Sequence, residues 1–113
     1  MQKTNLVAEN WEIEMAKGLR EVPNAKSVTV EFKMDDIKAT GKMEPSKLMR
    51  LLIGKEYGGK IDYYDFIVHS EGKRAFENLN ADWYDNPLTC KHITKISYGK
   101  RLLFDERLVE VDA

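Results

Sequence analysis

The sequence predicts one α+β domain, a mainly antiparallel sheet of about five strands with two or three helices packed on one face. Three observations carry this prediction: a helix-period apolar stripe before Pro23, a strictly alternating run at residues 27–34, and two apolar runs flanking Gly99-Lys100. The expected order, α-β-β-α-β-α-β-β, mixes helices with adjacent strands and so argues for an antiparallel sheet rather than βαβ units. A length of 113 residues fits a single domain over 1–113. Such a chain buries about two-thirds of its unfolded surface, enough to fold without disulfides or a structural metal.

The first helix rests on Val7, Trp11, Met15, Leu19 and Val22, which recur every three or four residues with glutamates and basic residues between them. Trp11, Ile13 and Met15 also alternate as a strand would, but the helical stripe is longer, and Pro23 and Asn24 stop it. In "SVTVEFKM", Val28, Val30, Phe32 and Met34 alternate with Thr29, Glu31 and Lys33, which predicts a strand with one wet face. Asp35-Asp36 makes a tight turn into a weaker antiparallel strand, "IKATGKM". Pro45 suits the first turn of a helix, where its missing N–H costs nothing, and Leu48, Leu51 and Leu52 share one face before Gly54.

After Gly58-Gly59, the run Ile61, Tyr63, Tyr64, Phe66, Ile67 and Val68 is apolar at both parities, which predicts a central strand covered on both sides. Ser70 and Glu71 start a short helix carrying Ala75, Phe76 and Leu79. Residues 80–90 keep no period, so they form a loop in which Asn86-Pro87 imposes extended or turn backbone. Trp83 or Tyr84 is expected to fold back from this loop onto the core. A terminal hairpin follows, turning at Gly99-Lys100.

Composition excludes several classes. At 42% hydrophobic and 33% charged the chain is neither disordered nor a membrane protein. The run "LMRLLIG" is too short and too polar to span a bilayer, and the N-terminus lacks an apolar signal core. A lone cysteine forms no internal disulfide, which points to the cytoplasm.

Chemistry-bearing residues concentrate in "NLNADWYDNPLTCKHITKI". A metal site would draw on Cys90, His92, His69, Asp82 and Asp85, but paired Cys or His spacings are lacking, and no metal or cofactor is expected. Cys90 has no nucleophile signature around it, Ser27, Ser46, Ser70 and Ser97 lack a Gly-x-Ser-x-Gly context, and "YGGK" fails the phosphate-loop spacing. The carboxylate pairs Asp62 with Asp65 and Asp82 with Asp85 need burial to do acid–base work. No catalytic motif emerges, and an enzyme built on Cys90, His92 and a nearby Asp ranks third among the readings.

Charge is ordered along the chain. Residues 38–60 hold six basic against two acidic residues and 91–104 hold four against none, while 61–90 hold two against six. Lys42, Lys47, Arg50, Lys91, Lys95, Lys100 and Arg101 would therefore make one nucleic-acid-binding face if the two basic segments met. A net charge of −1 favours mutual pairing of the blocks instead. The first reading is thus a small accessory or protein-interaction module, docking a partner or a second copy through a sheet edge or through Trp83, Tyr84, Asp82 and Asp85. The nucleic-acid-associated protein is its alternative.

Overall fold

Glu9 opens the first helix: its backbone N–H donates to the Glu12 carboxylate at 3.2 Å, and its own carboxylate accepts from the Trp11 indole. The computed structural model describes residues 9–54, 59–61, 78, 81–82 and 84–109. Helix α1 spans Asn10–Arg20 and buries Met15, Ala16, Gly18 and Leu19, as its stripe requires. Trp11 packs half-buried against the core. Val7, the first member of the stripe, lies outside the described residues.

Strands β1 (Val28–Met34) and β2 (Ile37–Met43) pair antiparallel in unbroken register from Val28 opposite Met43 to Met34 opposite Ile37. Asp35, at φ 54°, takes the left-handed position of the turn, which a short polar side chain tolerates. Helix α2 (Pro45–Ile53) starts at Pro45 and buries Leu48, Leu51 and Leu52. A short 3-10 turn at Cys90–His92 leads into β3 (Ile93–Tyr98), and Gly99 at φ 60° turns the chain into β4 (Arg101–Asp105). A second 3-10 turn, Glu106–Leu108, follows.

The sheet order is β2-β1-β3-β4, all antiparallel. Val28, Val30 and Phe32 of β1 are at most 1% exposed, as are Ile93 and Ile96 of β3. Burial of this kind contributes about 1.5–3 kcal/mol per side chain, so β1 and β3 form the spine. The leucines of both helices join the same core cluster, which leaves the opposite sheet face, with Glu31, Lys33, Lys38, Lys42 and Lys95, to solvent.

The expected architecture is met in class and corrected in detail. The described sheet holds four strands and two helices, in the order α-β-β-α-β-β. At the centre of the described sheet β1 and β3 are bonded to each other. A one-sided core makes alternation, rather than apolarity at both parities, the mark of a central strand. Beyond Ile61, that run and the expected helix from Ser70 to Leu79 lie largely outside the described residues.

Two bulges interrupt the register, both involving β3. Thr94 is extra opposite Glu31 and Phe32, and its hydroxyl donates to the Glu31 carbonyl at 3.2 Å. Leu103 is extra opposite Ile96 and Ser97, so Leu103 and Phe104 are both buried while Leu102 faces out. At Leu103, helix α1 sits directly on β4. A Cβ on Gly18 would lie 2.9 Å from the Leu103 carbonyl carbon and closer still to its oxygen.

Gly18→Ala tests this seat, because helix propensity alone favours alanine by about 1 kcal/mol. Overlap with backbone is expected to outweigh that gain and leave a net loss of about 1–3 kcal/mol in urea unfolding. A more stable variant would show that α1 does not seat there.

Candidate functional site

The loop that concentrates the chemistry-bearing residues is pinned by an aliphatic side chain. Leu88 is 1% exposed, and its carbonyl accepts from the N–H of fully buried Ile61 at 2.7 Å. The Asn86 amide lies 3.8 Å from the Met34 sulfur, at the β1–β2 turn. Tyr84 is 81% exposed, with the Lys60 ammonium 6.0 Å from its ring centroid, so of the two aromatics expected to fold back onto the core Tyr84 does not. A phenol would have to leave its hydroxyl partnered in the core, a demand that Leu88 avoids. Asp82 and Asp85 are exposed beside Tyr84, and Trp83 lies outside the described residues.

Cys90 and His92 are structural here. Cys90 is 4% exposed and belongs to the core cluster. The Thr89 backbone N–H donates to His92 Nδ1 at 3.0 Å, while the His92 N–H donates to the Thr89 carbonyl at 3.0 Å. The imidazole therefore closes the 3-10 turn with the lone pair that a base or metal ligand would use. Among the described residues no group of three or more His, Cys, Asp or Glu side chains is placed to hold a metal ion. His69, Asp62 and Asp65 lie outside those residues.

The basic candidates divide between layers. Lys42 projects with Lys38 from the solvent face of β2, and Lys95 projects from the same face of β3. Lys33 of β1 adds to them directly opposite Lys38. Lys47 and Arg50 ride on α2, Lys91 on the 3-10 turn and Lys100 on the hairpin tip. Arg101 reaches back to Glu21 just beyond α1. The solvent face also carries acid, since one cross-strand row reads Thr40, Glu31, Lys95 and Asp105.

Asp105 ends this row and is 8% exposed. Its carboxylate accepts from the Arg107 backbone N–H at 3.0 Å and from the guanidinium at 3.1 and 2.8 Å. These bonds, side-chain ones foremost, push the Asp105 carboxyl down from 3.8 to about 2. They also fold the chain away from β4 into the Glu106–Leu108 turn.

That bend creates a feature absent from the expected site. Between Glu14 of α1, the β4 residues from Leu102 to Asp105, and Leu108 and Val109 lies a groove of about 150 Å³. Leu102 at 45% and Leu108 at 72% exposure stand on it, and Ile13, next to Glu14 on α1, is 45% exposed. The volume is below the roughly 300 Å³ at which small-molecule sites begin, and suits an inserted apolar side chain. The sequence does carry a signal for it. Leu102, Leu103 and Phe104 are consecutive apolar residues in a strand with one covered face, so one of them must face out.

No family model, curated protein or solved structure matches the chain. The functional reading therefore rests on this geometry.

Two outcomes are expected. Asp105→Asn should lower stability at neutral pH by about 1–2 kcal/mol through the lost charged hydrogen bonds. Because the folded carboxyl titrates near 2 and the unfolded one near 3.8, its contribution is complete above about pH 4 and fades as pH falls toward 2. Acid titration of unfolding free energy should thus be flatter in the variant over that window. For Cys90, a thiol reagent should label native protein slowly and denatured protein fast, whereas rapid native labelling at neutral pH would mean an exposed or activated thiolate.

Proposed function

We propose that this chain is a small non-enzymatic protein-interaction module that docks its partner along the edge of β4 that no described strand pairs with. The observation that carries the reading is the pair Leu102 and Leu108, two exposed leucines standing on a groove at an edge strand. Exposed apolar groups around a concave opening supply the desolvation energy of association, and an edge strand supplies direction. The other edge, β2, presents Lys38 and Lys42, residues that discourage edge pairing. Among the described residues His92 and Cys90 are committed to a turn and to the core, which supports a reading without catalysis. No helix among the described residues is long and apolar enough to cross a membrane. The lone cysteine fits a reducing compartment, the cytoplasm.

A nucleic-acid-associated role is the second reading. It is supported by Lys33, Lys38, Lys42 and Lys95 sharing one sheet face with the hydroxyls of Thr29, Thr40 and Ser97. It ranks below the first because Glu31 and Asp105 interrupt that face, and no aromatic side chain stands there among the described residues to stack a base.

Sedimentation velocity against concentration separates the two readings when paired with oligonucleotide anisotropy. The docking reading expects concentration-dependent association that Leu108→Asp weakens about tenfold or more, with the circular dichroism spectrum unchanged. Oligonucleotide binding that collapses between about 50 and about 200 mM salt, by a protein that stays monomeric, would reverse the order.

A further inference from the structure

Beyond the β4 edge, we infer that the β1–β2 end of the sheet's solvent face is a second contact surface, and that its occupant is an extended acidic segment of a partner protein. The observation behind it is a group of lysines that the chain itself leaves unanswered. Lys33 of β1 stands directly opposite Lys38 of β2, and Lys42 follows on the same face of β2 beyond Thr40. All three lysines and Thr40 are exposed.

A like-charged pair placed directly across two strands costs stability, so the fold gains nothing from setting Lys33 against Lys38. Among the described residues none of the three lysines makes an ion pair, not even with Asp35 and Asp36 in the turn that joins the two strands. The acids of this face are answered from its other end, where Lys95 stands opposite both Glu31 and Asp105 and Arg107 holds Asp105. The unanswered charge is therefore positive and gathered at one end.

Strand geometry selects what fits it. Side chains return to one face every second residue and a strand rises about 3.4 Å per residue, which sets Lys38 and Lys42 about 13 Å apart. Carboxylates at the same separation in the sequence of an extended chain, laid along β2, repeat that distance and point the same way. Lys33 adds a second ammonium at the Lys38 end, and Thr40 offers a hydroxyl between the two positions. Glu31 stands opposite Thr40, where such a peptide carries no acid and an evenly charged phosphate chain does. Lysine is also a point charge, and Arg107, whose fork could grip a phosphate, is engaged by Asp105.

Fluorescence anisotropy of a labelled Gly/Ser peptide with glutamate at about every fourth position tests this surface. The peptide should bind at about 50 mM salt and weaken at about 200 mM, as exposed charge pairs do. The double variant Lys38→Glu, Lys42→Glu should bind it about tenfold more weakly, yet unfold at no lower urea concentration, because Lys38→Glu exchanges a repulsive cross-strand pair for an attractive one. Lys100→Glu at the hairpin tip and Leu108→Asp on the β4 groove should leave peptide binding unchanged, which keeps this surface separate from the β4 edge. Absence of peptide binding at low salt, a double variant that binds like the wild type or loses binding only by unfolding, or an equal loss in Lys100→Glu would overturn the inference. So would an oligonucleotide of the same charge that binds these lysines more tightly than the peptide, which would give the face to nucleic acid.

Discussion

Among the described glycines the tightest approach is that of Gly18 to the backbone of Leu103. It joins the first described helix to the last strand, and two local features permit it: a position without a side chain on α1 and an extra residue in β4. Without the bulge, the alternation of β4 would turn either Leu103 or Phe104 to solvent, whereas with it both are buried. The parity shift also carries Asp105 onto the solvent face beside Lys95, where Arg107 satisfies it. The groove and the bend that presents Leu108 both follow from this one irregularity.

Charge on the sheet's solvent face organises the same region. The row Glu31, Lys95, Asp105 alternates in sign across three strands, and Arg107 folds back onto its end. A carboxylate with 8% exposure is costly unless hydrogen-bonded, and the bidentate guanidinium with the backbone N–H of Arg107 offsets that cost. The network fixes where the chain leaves β4, and so where Leu108 stands. It also breaks up the basic face that Lys33, Lys38 and Lys42 would otherwise extend.

Much of the frame could be read from residue order. Alternation in "SVTVEFKM" marks β1 because that strand has one wet face, Pro45 marks the start of α2, and Gly99 marks the hairpin turn. Bulges were not legible, since an inserted residue leaves no compositional trace and its position is set by what packs above it. Leu88 was missed as an anchor among the described residues of the loop, an aliphatic among aromatics with higher apparent interface value. Both-parity apolarity after Ile61 suggested a central strand, and that run lies beyond Ile61 outside the described residues. The groove was half legible, in the run Leu102-Leu103-Phe104, but the exposure of Leu108 depends on the Asp105–Arg107 bend.

If association runs through β4 and the turn after it, hydrogen–deuterium exchange of dilute against concentrated protein will register it there. Backbone amides between residues 100 and 109 should gain protection as concentration rises, while those of β2, residues 37–43, stay unchanged. Protection gained at β2, or none at β4 under conditions where the protein self-associates, would contradict it.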